Sequence, residues 1–210
     1  MICGFDEAGR GALLGPLVIG GTCFLNEDLE KLKKIGVKDS KLLLPKKREE
    51  LEKEIKKISK NWELVIIKPE QIDNRFALGK NLNTLELDGF SELISKLKPS
   101  EAYIDSFFKD TEKLKMLLSK KTKAKLIVEH KADLNYLVVA AASIIAKVHR
   151  DAEIKKLEKE TGKTIGSGYP SDLISRKFVE DNLDAPFIRR TWASFELIKS
   201  KKTQTSLEQF

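Results

Sequence analysis

Apolar residues in this chain fall into two patterns: short continuous blocks, and longer stretches where they recur every third or fourth position. Blocks over 1–5 and 16–25 predict two strands. The glycine-rich turn from Ala8 to Gly15 joins them, and a connection that short suits antiparallel neighbours. Residues 26–36 predict a short helix closed by Gly36. Pro45 opens a second helix, with Leu51, Ile55 and Ile58 at helical spacing. A strand over 62–68 stops at Pro69, and 72–80 reads as irregular. An amphipathic helix fills 82–97 and ends before Pro99. Next come a short strand over 102–105, a helix over 109–120 and a strand over 125–128.

Residues 136–148, YLVVAAASIIAKV, are apolar almost all round. They predict a buried central helix that runs on, more polar, to about Glu160. Composition changes at Gly162. A loop with Gly162, Gly166 and Gly168 leads to Tyr169-Pro170, and Ser171 reads as the cap of a helix reaching about Asn182. PFIRRTW (186–192), a final short helix and a polar tail from Lys201 complete the chain. Strands first and strand–helix alternation afterwards imply an α/β protein. Its expected architecture is a mixed central sheet flanked by helices over 1–161, with a C-terminal helical segment over 162–210.

Composition narrows the classes. With 41% hydrophobic residues the chain can bury a sizeable core. It has no apolar run long enough to span a membrane. Gly4 and Asp6 interrupt the N-terminus before a signal peptide could form, so the expected setting is the cytoplasm. Cys3 and Cys23 sit in strand-like runs and read as two buried, reduced thiols. With two cysteines, no CxxC and two histidines, the usual zinc ligands are missing. The net charge of +7 favours an anionic partner.

Four carboxylates share a position. Asp6 and Glu7 follow the first strand block, Asp105 ends another, and Asp133 follows a third. Ligand sites in open α/β sheets favour that edge. Singly, Asp105 or Asp133 reads as a helix cap or a solvated loop residue before it reads as a ligand. Together they form a hard oxygen donor set suited to Mg²⁺ or Mn²⁺. Two such ions about 4 Å apart can activate water and stabilise a leaving oxygen in phosphodiester hydrolysis. In a regular strand Asp6 and Glu7 point to opposite faces, so both reach one site only if the strand ends or twists there. Gly9-Arg10-Gly11 lets the backbone approach a ligand closely. Asp39-Ser40-Lys41 either contacts phosphate or caps the next helix, and Tyr169 either stacks on a ligand or packs on the body.

Together these stretches resemble the type 2 ribonucleases H, in particular ribonuclease HII of the archaeal branch. The resemblance rests on GFDEAGRGALLGP (4–16), VKDSKLLLPKKREEL (37–51), YIDS (103–106), HKADLNYLVVAAASIIAKVHRD (130–151), SGYPSD (167–172) and PFIRRTW. It implies a ribonuclease H-like fold with a catalytic domain over 1–161. It also implies a C-terminal segment that packs on this domain and contributes to substrate binding. The implied activity is hydrolysis of RNA in RNA–DNA hybrids and incision of duplex DNA 5′ of an embedded ribonucleotide. The implied products carry 3′-hydroxyl and 5′-phosphate ends.

By position, Asp6, Glu7, Asp105 and Asp133 match the catalytic, metal-binding carboxylates of that family, which work with two Mg²⁺ or Mn²⁺ ions. Gly9, Arg10 and Gly11 match its sensor of the ribose 2′-hydroxyl, and Tyr169 matches the tyrosine that stacks at the ribonucleotide–deoxyribonucleotide junction. Ser40 and Lys41 match positions facing phosphate, and Lys147 and Arg150 match nearby basic positions. Ala12 stands where the family usually has proline, and Ala140 where serine is commoner. Thr191 replaces a common serine and keeps the hydroxyl. A monomer is expected. The tail, ending in Gln209-Phe210, is either frayed or a docking segment for a partner such as a replication clamp.

Overall fold

The structure is a computed structural model that describes residues 1–37 and 43–207. Its five strands are β1 (Ile2–Ala8), β2 (Leu17–Phe24), β3 (Asn61–Ile67), β4 (Glu101–Asp105) and β5 (Lys125–Glu129). They form one sheet in the order β3-β2-β1-β4-β5. β1 pairs antiparallel with β2 and parallel with β4, and β4 pairs parallel with β5. The expected mixed sheet is therefore present.

β1 runs further than its apolar block. Glu7 and Ala8 pair with Ile19 and Val18, so the strand neither stops at Phe5 nor ends at the paired carboxylates. The cysteine expectation is corrected by the same register. Cys3 lies directly opposite Cys23, with Cα atoms 4.1 Å apart, and the two form a disulfide instead of separate thiols. Neighbours on adjacent antiparallel strands are close enough to be bridged.

The helices are α1 (Leu29–Lys34), α2 (Pro45–Ile58), α3 (Pro69–Asp73), α4 (Leu82–Leu97), α5 (Thr111–Ser119), α6 (Ala132–Asn135), α7 (Leu137–Thr161), α8 (Leu173–Asp181) and α9 (Ala193–Leu207). Two expectations change. The stretch read as irregular contains the end of α3, which Pro69 opens at its first turn, and a 3₁₀ turn over Asn74–Phe76. The cap of α8 is Asp172, not Ser171: its carboxylate accepts from the Ile174 amide at 3.0 Å.

By contacts the chain divides into two compact units. One holds Met1–Ala8, Val18–Ile66 and Asn81–His149. The other holds Gly9–Leu17, Ile67–Lys80 and Arg150–Phe210. The core of the first gathers Phe24, Leu51 and Ile55 against the apolar half of α7, including Val139, Ile144 and Ile145. The core of the second gathers Leu13, Leu14, Ile154, Phe178, Val179 and Ile188.

The first unit depends on how closely α7 approaches the sheet. A side chain on Gly4 would collide with the Val138 backbone, and a Cβ on Gly20 would lie 2.7 Å from the Ala142 carbonyl oxygen. Thr22 Oγ1 donates to the Val138 carbonyl at 3.0 Å. The alanines of α7 and the glycines of β1 and β2 are thus two halves of one tight interface. Gly20→Ala is expected to destabilise the protein by about 1–3 kcal/mol, the cost of overpacking a filled core, in urea or thermal melts. An unchanged melt would show that α7 can shift freely.

Candidate metal centre and backbone turn

In the first unit, register brings two carboxylates together. Phe5 pairs with Ile104, so Asp6 and Asp105 follow side by side at the ends of parallel segments. Asp133 arrives on α6, the short helix after β5. Carboxylate oxygens of Asp6, Asp105 and Asp133 all lie within 4.8 Å of one another. Asp6 is 6% exposed and Asp133 3%, so water solvates these charges poorly. Glu7 is not in that group. It lies next to Asp6 within a continuous strand, where alternate side chains take opposite faces, and its amide donates to the Asp6 carboxylate at 2.8 Å.

The helix face behind Asp6 is polar at two places. Lys147 Nζ donates to Ser143 Oγ at 2.7 Å. The buried Ser143 hydroxyl in turn serves Asp6. Serine and lysine four residues apart share one face of α7. Gly20, opposite Asp6 in the register, leaves α7 room to bring that face in. Ser143 was not among the residues expected at this site; its only local signal is its spacing from Lys147.

Burial pushes the Asp6 carboxyl up from 3.8 to about 7, and the negative charge of Asp105 adds to the rise. The Ser143 hydrogen bond, the Lys147 charge and the Glu7 amide pull it back only in part. Crowded, poorly hydrated carboxylates with oxygen donors alone fit a hard divalent cation, which would relieve both penalties. The ligands must be deprotonated for metal to bind. Mn²⁺ affinity, read by calorimetry, should therefore fall as pH drops below about 7, and binding there should release a proton. Asp105→Asn should lower the Asp6 pKa, seen by carboxyl NMR, and weaken Mn²⁺ binding. A pH-independent affinity, or undiminished Mn²⁺ binding in the variant, would contradict this.

The second unit holds the glycine-flanked turn. Gly9 has φ +87°, and its carbonyl accepts from the Ala12 amide at 3.2 Å. The Gly9 amide donates to Tyr169 Oη at 3.1 Å. Leu13 N donates to the Gly168 carbonyl at 2.8 Å, tying the turn to the tyrosine loop. Gly11 is different: it is exposed, its φ is not positive, and a Cβ there would meet nothing within 4 Å. Neither backbone strain nor packing inside the protein requires glycine at that position.

Arg150 is buried at 3% exposure. Its guanidinium lies 4.4 Å from the centre of the Tyr169 ring, and Nη2 donates to the Ser167 carbonyl at 2.5 Å. Asp172 accepts from the Ser167 amide at 2.6 Å. That bond, with the Ile174 amide and the Ser167 and Ser175 hydroxyls, holds the Asp172 carboxyl down at about 2. The geometry gathers Gly9, Tyr169 and Arg150 into one network. Ser40 and Lys41 lie outside the described residues.

A mixed sheet in this order, with Asp6 on β1 beside Asp105 at the end of β4, is the ribonuclease H-like arrangement. The sequence model of the ribonuclease HII family matches residues 3–195. The ribonuclease HII of Pyrococcus furiosus is 44% identical over 222 positions, covering 100% of this chain and 97% of its own. The solved ribonuclease H2 of Pyrococcus horikoshii has a TM-score of 0.86 at 39% identity, covering 97% of this chain and 99% of that one. A chain of the solved PCNA:RNase HII complex from Archaeoglobus fulgidus also scores 0.86 at 41% identity, covering 91% and 93%. The protein described here belongs to the ribonuclease HII family.

Proposed function

We propose that this ribonuclease H endonuclease hydrolyses the RNA strand of RNA–DNA hybrids and also incises duplex DNA on the 5′ side of an embedded ribonucleotide. The products would carry 3′-hydroxyl and 5′-phosphate ends. The observation that carries the chemistry is the group of Asp6, Asp105 and Asp133 with oxygens within 4.8 Å. Those residues, with Glu7 next to Asp6 in sequence, would hold Mg²⁺ or Mn²⁺ as a pair of ions during turnover, in the sense of two-ion phosphodiester hydrolysis. Bound divalent ions supply water activation and charge stabilisation at the phosphate. The chain's own part is to hold the ligand oxygens, keep Asp6 against Ser143 and Lys147, and bind the strand.

Recognition of ribose would fall to Gly9-Arg10-Gly11, because the 2′-hydroxyl is what separates RNA from DNA at a site. The exposed Gly11, which nothing inside the protein requires, supports that role. Tyr169 would stack at the junction with the following deoxyribose. Ser40, Lys41, Lys147 and Arg150 would contribute to substrate binding, Arg150 through the Tyr169 ring it packs against, and the C-terminal segment over 162–210 would add to it. The charge of +7 supports a polyanionic partner, with affinity falling as salt rises. We read the protein as a cytoplasmic monomer. The solved relative in complex with PCNA supports clamp contact; we assign that contact to the tail, whose Gln209-Phe210 end lies outside the described residues.

Incubation with a fluorescent RNA–DNA hybrid tests the reading. RNA-strand cleavage should require Mg²⁺ or Mn²⁺ and stop with EDTA, and Asp133→Asn should abolish turnover while hybrid binding persists. Cleavage insensitive to EDTA, or full activity in Asp133→Asn, would refute it.

A further inference from the structure

The PFIRRTW stretch has no part in the chemistry described so far, yet its first arginine is among the most deeply buried residues of the chain. Arg189 is 0% exposed. Its Nη1 donates to the Arg10 carbonyl at 3.0 Å, and its Nε donates to the Gly15 carbonyl at 3.0 Å. Its own backbone amide donates to the Leu13 carbonyl at 2.9 Å. One side chain thus ties two points of the glycine turn, five residues apart, from across the sequence. A planar guanidinium with several fixed donors can do this; a lysine ammonium offers one point charge.

The segment carrying Arg189 is itself held. The Asp73 carboxylate accepts from the amides of Arg190 at 2.8 Å and Thr191 at 3.1 Å, and from Thr191 Oγ1 at 2.7 Å. Arg75 Nη1 reaches Thr191 Oγ1 at 2.6 Å. The Trp192 ring lies 5.3 Å from the Arg189 guanidinium. These contacts fix the position from which Arg189 grips the turn.

The grip has a geometric consequence. A trans peptide is planar, and its carbonyl and amide point in opposite directions. The described residues contain no cis peptide. When Arg189 holds the Arg10 carbonyl inward, the amide of the same peptide, that of Gly11, points away from Arg189. Gly11 is exposed, with open space where a side chain would stand. We propose that Arg189 is a positioning residue: by binding the Arg10 carbonyl it aims the Gly11 amide outward as a donor to the ribose 2′-hydroxyl.

This inference rests on the ribose-reading role given above to the glycine turn. It makes the discrimination between ribose and deoxyribose depend on a residue that touches neither sugar. It also separates two kinds of affinity. Phosphate contacts elsewhere bind any duplex, whereas the aimed amide rewards ribose alone.

The test measures binding without divalent metal, to a duplex containing one ribonucleotide and to the same duplex all in DNA. Wild type should prefer the first. In Arg189→Gln that preference should fall about tenfold, the worth of one net hydrogen bond, with all-DNA affinity unchanged. Arg189→Lys should recover part of it. A general structural defect would instead weaken both duplexes together. Should either variant fail to fold, the wild type still decides: the Gly11 amide resonance should shift and gain exchange protection with the ribonucleotide duplex, and not with all-DNA. A folded Arg189→Gln that keeps the full preference, or a Gly11 amide indifferent to ribose, would overturn the inference alone. A wild type that binds both duplexes equally would overturn the ribose-reading role and the inference with it.

Discussion

Like charges confined where water is scarce must be compensated, and the first unit of this protein is built around that constraint. Asp6 and Asp105 end neighbouring segments of a parallel pair, and Asp133 closes on them from α6. Burial first, and then repulsion from Asp105, lift the Asp6 carboxyl to about 7. The chain answers in part, with the Ser143 hydroxyl, the Lys147 charge and the Glu7 amide. The remaining penalty is one that a divalent cation would remove, so the proposed metal affinity would follow from the same folding that concentrates the carboxylates.

Close packing makes this arrangement possible. Gly4 and Gly20 strip the sheet of side chains where α7 crosses it, and the alanines of α7 accept the approach. The same closeness delivers Ser143 to Asp6. Exchanging either partner for a larger residue would therefore disturb the core and the carboxylate group together. In the second unit the corresponding economy is a buried arginine and a tyrosine hydroxyl. They fix a turn whose exposed glycine has no packing duty.

Much of this was legible from residue order. Apolar blocks marked all five strands, and helical spacing marked α2 and α4, because burial on one face leaves its period in the sequence. Asp105 and Asp133 stood out because they follow apolar blocks. What stayed hidden depends on long-range register. The extension of β1 through Glu7 and Ala8 comes from pairing with β2, and the meeting of Cys3 with Cys23 comes from that pairing too. Ser143 was concealed inside an apolar helix, where its four-residue offset from Lys147 is a weak signal. Arg189 lies 179 residues from the carbonyl it holds, so no local pattern connects them. Asp172 displaced Ser171 as a cap because its carboxylate also holds the Ser167 amide, a contact that propensity alone does not register.

In the proposed function, the carboxylates supply the chemistry and the glycine turn supplies the choice of ribose. The most direct measurement maps the cut in an end-labelled DNA duplex carrying a single ribonucleotide, with Mn²⁺ or Mg²⁺ present. One incision is expected, immediately 5′ of the ribonucleotide, leaving 3′-hydroxyl and 5′-phosphate ends, with the all-DNA control intact. Cutting on the 3′ side, or equal cutting of the control, would contradict it.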